Sequence, residues 1–325
     1  MLIQGTQCPA VWANTGVSDC AFALDKLEGV LIVPKSKGYD MSTYANYAAL
    51  LAALQADAIA ALPASRLLPV FHIDGVTDNT ADANIAESAY GKVKDVSHAQ
   101  VRWTVNMSNY GLRALANIDV LRHNHNLTVF PVFKGGKANS MIWSQKGVDG
   151  KNYGAGARIY TSKAAVTSGV NMTENQFMIA FDDEDVFFNR NIEFIPTPEG
   201  SKLGVTLHGV HDLTIKVYSA TTTAIEVGVV DSASGAIMGE TYETALEQLG
   251  WWMLNLTATG ASVSITSVTW NNITKRFLLA GTFTTAEHLL GGIDPAAAAA
   301  LSVPFGNGVT GGFEAAPVTV TPAIA

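Results

Sequence analysis

The chain has 325 residues, of which 48% are hydrophobic and only 15% charged. Soluble domains typically carry ~25% charged residues, so we expect part of this surface to be covered by other subunits. The net charge of −8 argues against nucleic-acid binding, which requires clustered lysine and arginine. No secretory signal or membrane span is evident in the sequence, so we expect no membrane association and assembly in a cytoplasm.

The first predicted elements are a strand and a helix. Residues 27 to 38 contain a β-branched apolar run that ends at Pro34 and Gly38, which predicts a strand and a turn. The next segment places apolar side chains at steps of three and four residues: Tyr44, Tyr47, Leu51, Leu54 and Ala58. This spacing predicts an amphipathic helix of about five turns, capped by Asp40 or Ser42 and ended by Pro63.

Residues 65 to 73 predict a second strand, whereas residues 74 to 91 are too polar and too rich in turn residues to predict any element. Residues 92 to 107 alternate between two faces, which predicts one long strand with a single wet face. The mostly apolar face has these residues: Ser97, Ala99, Val101, Trp103 and Val105. The wet face has the residues between them: Val96, His98, Gln100, Arg102 and Thr104.

The elements after residue 107 are mainly strands. A short helix is predicted near residues 110 to 124, with Leu112, Leu115 and Ile118 inward, and then a strand that Pro131 bends or places at an edge. The glycine-rich residues 146 to 164 predict a surface hairpin. Residues 175 to 196 predict two strands joined by an acidic turn.

The strongest boundary signal is the turn-rich stretch from Pro196 to Gly200. Beyond it, strands rich in Val, Thr and Ser predict a small β-sandwich, interrupted by a short helix near residues 240 to 252. We therefore predict an α+β, mainly β fold, with a β-sandwich or barrel domain, one long and one short helix, and a second β-sandwich. The predicted divisions are an N-terminal arm (1–26), a tube-like β domain (27–200), the smaller sandwich (201–294) and a low-complexity extended tail (295–325).

Several clusters have the residue types of metal or catalytic sites. The acidic residues 182 to 185 could bind Ca²⁺ but lack the calcium-loop pattern, and an acidic hairpin turn also explains them. The histidines His123, His125, His208 and His211 could bind zinc or iron, or lie at a surface or an interface. Cys8 and Cys20 could pair, although two free thiols fit as well. There is no nucleophile motif, so we predict no enzyme, no cofactor and no metal site.

One passage between the two predicted helices matches a recurring order of residues: Arg66, Pro69, Ile73, Asp74, Asp78, Asn79, Thr80, Tyr90, Gly91 and Val93. This arrangement, within roughly residues 27 to 200, resembles a group of virion structural proteins of tailed phages that infect Bacteroidetes hosts. The resemblance implies a tail-tube-like subunit that forms rings or a helical stack with copies of itself. It also implies other virion proteins as partners, location in the virion and assembly in the cytoplasm of the host bacterium.

We expect an acidic lumen in such a tube, because repelled phosphates let DNA pass without specific binding. The acidic and amide side chains after the second strand are the candidates for the contact between subunits: Asp74, Asp78, Asn79, Thr80 and Asp82. If so, alanine at Asp74, Asp78 and Asn79 should leave the monomer folded and block polymerisation. The alternatives are a major capsid or decoration protein, and a carbohydrate-binding adhesin that uses Trp143, Tyr153, Trp251, Trp252 and Trp270 as stacking platforms.

Overall fold

The fold is α+β and mainly β, as predicted. The computed structural model describes residues 6–7, 26–60, 63–71, 73–81, 84–87, 93–97, 99–107, 115, 118–135, 139–161, 175–183, 186–187, 191–207, 209–232, 235–240, 242–291, 312–315 and 317–324. The chain forms two compact units, one of residues 1–54 and 64–206 and one of residues 55–63 and 207–325.

The first unit is built around one branched antiparallel sheet. Its strands are β1 (Thr6–Gln7), β2 (Leu27–Pro34), β3 (Leu68–Phe71), β4 (Gly75–Asp78), β5 (Asn84–Glu87), β6 (Val93–Ser97), β7 (Arg102–Met107), β8 (Leu127–Lys134), β9 (Ser140–Lys146), β10 (Asn152–Tyr153), β11 (Ala155–Thr161), β12 (Asn175–Phe181) and β13 (Ile192–Pro196). Strands β5 and β6 pair only with each other, and the other eleven form the sheet. The main path through the sheet runs β1-β13-β9-β8-β11-β12-β7-β4.

The sheet branches at β8, which has partners on both edges. Strand β2 pairs along one edge, while β11 (at residues 127–129) and β9 (at residues 132–134) share the other. The alternative that Pro131 places this strand at a sheet edge is therefore wrong. Because Lys35 N donates to the Asn126 carbonyl, the alternation of the ladder points the Pro131 nitrogen away from β2. It falls between the β11 and β9 pairings, where a missing N–H breaks no ladder bond.

An aromatic-rich core cluster of the first unit packs on one face of this sheet, and at β2 and β8 the opposite face is buried as well. The Trp103 ring stacks on Phe187 with centroids 4.7 Å apart, and Phe181 meets Trp103 edge-on at 5.0 Å. Val101, Trp103 and Val105 are buried while Arg102 is exposed, so the predicted alternation of faces is confirmed there. The prediction of one strand from 92 to 107 is wrong, since β6 ends at Ser97 and β7 begins at Arg102.

The helix α1 (Tyr47–Ala58) is shorter than predicted. The cap at Asp40 is real, but its side chain accepts from Ser42 N and begins a 3-10 turn over Met41–Thr43. The α-helix begins only after Asn46, whose Oδ1 accepts from Ala49 N at 3.0 Å, the usual N-cap contact. The hydrogen bonds of Asp40 and Asn46 to nearby backbone N–H groups thus take the place of the first turns of the predicted α-helix. Of the predicted short helix, residues 115, 118 and 119 are described as helical, with Leu115 and Ile118 buried.

The glycine-rich segment from 146 to 164 is only partly a surface hairpin. Its turn, residues 147 to 151, joins β9 to β10, but β11 is an interior strand with alternate residues buried. Gly154 lies between β10, which pairs with β9, and β11, which pairs with β8. A Cβ on Gly154 would be 2.7 Å from the Val129 carbonyl oxygen. The two strands predicted on either side of the acidic turn are present as β12 and β13, but they pair with other strands and form no hairpin.

Replacing Tyr153 with phenylalanine is expected to raise the pKa of Asp149. The Tyr153 hydroxyl donates to Asp149 Oδ2 at 2.7 Å, which lowers the pKa of the carboxyl and raises that of the phenol. A lowered carboxyl pKa stabilises the folded state above the pKa of the unfolded chain, and that contribution is lost as the pH falls through the folded value. Carbon-detected NMR titration of Asp149 measures the difference.

Asp40 is an internal control for this titration, because hydrogen bonds from Ser42 lower the pKa of its carboxyl. That pKa should change little in the Tyr153→Phe variant. Equal pKa values for Asp149 in the two proteins would contradict the expectation.

The second unit is a small β-sandwich, as predicted. Its strands are β14 (Val210–Ala220), β15 (Ala224–Asp231), β16 (Met253–Leu256), β17 (Ile265–Asn271), β18 (Arg276–Gly281), β19 (His288–Gly291), β20 (Gly312–Ala315) and β21 (Val318–Val320). One sheet has the order β17-β18-β15-β14-β20 and the other β16-β19-β21. Side chains of both sheets share a core that includes Ile225, Phe277 and Leu290.

Two short helices and further 3-10 turns, among them Pro63–Ser65 and Val120–His123, complete the secondary structure that is described. Helix α2 (Leu203–Thr206) follows β13 in the first unit. Helix α3 (Glu243–Leu246) and a 3-10 turn at Leu249–Trp251 lie within the short helix predicted near residues 240 to 252.

The division of the chain differs from the predicted one: residues 55–63 are in the second unit, and β1 of the predicted arm pairs with β13 of the first. The compact units separate between Thr206 and Leu207, beyond the turn that ends at Gly200. Part of the expected extended tail is in the second unit's sheets: β20 pairs in parallel with β14, and β21 pairs with β19. The partner strands are distant in the sequence, so local composition does not reveal these pairings.

Candidate assembly surface

Strand β4 is an edge strand, at one end of the path through the large sheet. The prediction that residues 74 to 91 form no element is therefore wrong. Strand β4 pairs with β7 from Gly75 opposite Asn106 to Asp78 opposite Trp103. Asn79 N donates to the Arg102 carbonyl at 2.8 Å. The alternation of an antiparallel ladder then directs the N–H groups of residues 76 and 78 away from β7.

No strand in the described part of the chain pairs with this outer edge of β4. An unpaired edge presents a row of backbone donors and acceptors that can pair with a strand of another chain. The edge is short and ends in exposed polar residues, since Thr77, Asp78 and Asn79 are all exposed. Natural proteins use short and charged edges to limit nonspecific aggregation, so any pairing here would be selective.

The candidate side chains after β4 make hydrogen bonds within the chain. Asp78 Oδ1 accepts from Thr80 N at 2.9 Å and forms a turn. Asn79 Nδ2 donates to Thr104 Oγ1 at 2.6 Å, and Thr80 Oγ1 accepts from Arg102 N at 3.1 Å. The Asn79 and Thr80 side chains hold the end of β4 against β7, and the Asp78 carboxylate holds the turn between them.

The other two candidates are placed differently. Asp74 is exposed and precedes β4, with its N–H donating to the Asn106 carbonyl at 2.9 Å. Asp82 lies outside the described residues. Because Asn79 helps to hold β4, alanine at Asp74, Asp78 and Asn79 would also loosen the strand, and the triple variant cannot separate folding from assembly.

The face of the sheet opposite the core is polar across four strands. Thr77 of β4 lies beside Thr104 of β7, which lies beside Met178 of β12, and that residue lies beside Tyr160 of β11. Two residues further along the same face, Ala180 of β12 lies between Arg102 of β7 and Arg158 of β11. Apart from Met178 and the buried Ala180, the residues named on this face are polar, which is compatible with the wall of a water-filled space.

The charges on this face are mostly positive. Arg158 Nε and Lys35 Nζ lie 3.5 and 3.7 Å from the two carboxylate oxygens of Asp182. Arg102 approaches Gln100 Oε1 at 3.3 Å. The ion pairs are partly exposed and stabilise the fold only weakly. Within the described residues, this four-stranded face therefore does not provide the negative charge expected of an acidic lumen.

A buried polar cluster at the junction of β9, β10 and β13 was missed by the sequence analysis. Asn152 Nδ2 donates to Glu193 Oε2 at 2.8 Å and to Ser144 Oγ at 2.9 Å. Ser144 Oγ in turn donates to the Glu193 carbonyl oxygen at 3.0 Å, and Lys146 Nζ lies 3.3 Å from Glu193 Oε1. Asn152 and Glu193 are 1% and 4% exposed. Only the alternation of β9 hints at an inward Ser144, and nothing local links it to Glu193.

The aromatic residues of the adhesin alternative are mostly inaccessible. Trp143 and Trp251 are 1% and 0% exposed, and Trp252 and Trp270 are also buried. Tyr153 is partly exposed, but its hydroxyl is bonded to Asp149 and its ring contacts the positions where Cβ atoms of Gly38 and Gly147 would lie. None of the four tryptophans offers a sugar-stacking surface.

The candidate metal residues are not brought together where they can be located. Among the described residues, no group of three or more His, Cys, Asp or Glu side chains could hold a metal ion. His123 and His125 are exposed. His208 and both cysteines lie outside the described residues, as do the last two acidic residues, 184 and 185.

Comparison with known proteins finds no significant match among family models, curated proteins or solved structures. None of the helices that the structure describes is both long enough and apolar enough to cross a membrane.

Proposed function

We propose that this chain is a structural protein that assembles with copies of itself by pairing the outer edge of β4 with a strand of the next copy. The observation that carries the proposal is the unpaired edge of β4 in the described chain, next to a mostly polar sheet face. Pairing between two different edges is heterologous, so it generates a closed ring or an open helical stack.

The kind of assembly we propose is the tail tube of a phage, with the chain as its ring-forming subunit. Support comes from the resemblance to phage virion proteins between residues 27 and 200 and from the low charged fraction of 15%. The net charge of −8 is compatible with DNA that passes without specific binding. The four-stranded polar face carries Arg102 and Arg158, so an acidic lumen would have to be lined by other parts of the chain.

In this proposal the protein is not an enzyme and requires no cofactor. Its partners are further copies of itself and other virion proteins, and its location is the virion. Polar side chains close to β4 hold the edge strand in place, and backbone groups make the contact. This assigns Asp78, Asn79 and Thr80 a positioning role, because their hydrogen bonds lie within the chain.

Electron microscopy of the negatively stained recombinant chain at rising concentration tests the proposal. We expect rings or hollow tubes, because edge pairing becomes more complete as concentration rises. Closed spherical shells would replace the tail-tube proposal with a capsid protein. A monodisperse monomer at every concentration would refute self-assembly and favour a decoration protein.

A further inference from the structure

A pocket of about 340 Å³ in the first unit has three lysines and an apolar floor. It is distinct from the β4 edge and has no part in the proposed assembly. Its lining residues come from β2, β3, β8, α2 and their flanks: Lys26, Glu28, Phe71, Ile73, Lys134, Lys202, Gly204 and Val205.

Two of the lysines are direct neighbours across adjacent strands. Leu27 of β2 pairs with Phe133 of β8, and Lys134 N donates to the Lys26 carbonyl at 2.8 Å. This places the two ammonium side chains on one face of the sheet, opposite each other. Like charges in this position destabilise a strand pair. The arrangement therefore costs stability unless an anion lies between the two groups.

The third lysine is positioned by a hydrogen-bonded connection between β9 and α2. Ser140 is fully buried, and its Oγ accepts from Leu203 N at 3.0 Å, next to Lys202. Thr197 Oγ1 accepts from Ser140 N at 2.8 Å and donates to the Ser201 carbonyl. These bonds fix the backbone that carries Lys202 at the pocket.

The charges of the pocket are unbalanced. Within the described residues, none of the three lysine ammonium groups is in an ion pair. The one carboxylate in the lining, Glu28, already accepts from the Ser140 hydroxyl at 2.8 Å. Glu28 also lies at a shift in the pairing of β2 with β8, and such bulges are common next to binding sites.

The floor of the pocket is apolar and held in place by close packing. Phe71 and Ile73 are buried. A Cβ on Gly204 would lie 3.0 Å from Phe71 Cγ, so a larger residue there would press on the ring and require it to shift by a few tenths of an ångström. Val205, at 61% exposure, provides an apolar wall at the mouth.

We propose that this pocket binds a phosphate monoester whose organic part is apolar. Three ammonium groups match a phosphate, which carries up to two negative charges and three acceptor oxygens. The Phe71 and Ile73 side chains contact the organic part, and the volume is within the range of small-molecule sites. The bound phosphate lies near Lys26 and Lys134 and offsets their repulsion.

Calorimetric titration of the full chain with phenyl phosphate tests this inference. We expect Lys134→Met and Lys202→Met each to weaken binding by about tenfold, because each removes a charged hydrogen bond to the phosphate. Glu28→Gln should strengthen binding, since it removes the negative charge of the lining. Phenol should not bind, and inorganic phosphate should bind more weakly than phenyl phosphate.

Lys151→Met is the matched control, because Lys151 lies in the exposed turn between β9 and β10 and outside the pocket. Its affinity for phenyl phosphate should equal that of the wild type. Thermal unfolding without ligand reports on folding, and Lys134→Met should raise the melting temperature by removing the like-charge pair. No binding of phenyl phosphate to the wild type, or equal affinity in the control and the pocket variants, would overturn the inference.

Discussion

Asp78→Pro is expected to weaken self-assembly strongly, whereas Asp78→Ala leaves it nearly intact. The N–H of residue 78 faces the outer edge of β4 in the described chain, so proline removes a donor that an incoming strand requires. Its ring also occupies the space next to that edge. We expect the concentration at which rings or tubes form to rise by at least about tenfold, which corresponds to one lost hydrogen bond. Sedimentation velocity across a concentration series measures this change.

Two comparisons separate the backbone from the side chain. Asp78→Ala loses the turn bond to Thr80 N but keeps the backbone donor. Thr77→Pro removes an N–H that faces β7, opposite Thr104, and should lower the melting temperature of the monomer. Unimpaired assembly of Asp78→Pro would refute edge pairing through β4. An equal loss of self-assembly in Asp78→Ala and Asp78→Pro would show that the Asp78 carboxylate, and not the backbone N–H, makes the contact between subunits.

Asn152→Ala is expected to cost about 3 kcal/mol of the free energy of unfolding. The variant removes the amide that donates to both Glu193 and Ser144. The Glu193 carboxylate, whose side chain is 5% exposed, would then retain Lys146 as its partner but lose a charged hydrogen bond. A buried carboxylate with fewer donors carries an uncompensated desolvation cost. The midpoint of urea unfolding measures the effect.

Asn126→Ala provides the control for this change. Asn126 is exposed in the short connection between the 3-10 turn at Val120–His123 and β8, and its replacement should alter stability by less than about 0.5 kcal/mol. Adding Glu193→Gln to Asn152→Ala should recover part of the loss, because the buried charge disappears. Equal midpoints for the two alanine variants would show that the polar cluster contributes little to stability.

The strands that sequence patterns predict well are those with a strong local signal. The β-branched run of β2 and the alternation around Trp103 in β7 both appear as predicted. Strand β4 was missed because Gly75 and Asp78 favour turns in isolation. It exists because β7 supplies a partner at every residue, and strand preference depends on such neighbours more than on composition.

The candidate surface was only partly accessible to sequence reasoning. Composition singled out the polar stretch after the second strand, and the structure places Asp78, Asn79 and Thr80 close together at the end of β4. Their hydrogen bonds to β7 could not be foreseen, because Asn79 and Thr104 are 25 residues apart in the chain. The lysine pocket was not predicted for the same reason, as its residues extend from Lys26 to Val205.

By itself, the sequence determined the α+β, mainly β class, the apolar face of β7 and the low density of charge, since each follows from local composition or from a period of two residues. Only the tertiary structure decided which strands are neighbours. It branched the sheet at β8, left β4 at an edge and placed Asn152 against Glu193 across 41 residues. The physical reason is that strand pairing is nonlocal: backbone hydrogen bonds join any two strands in register, and only packing of the whole unit selects among them.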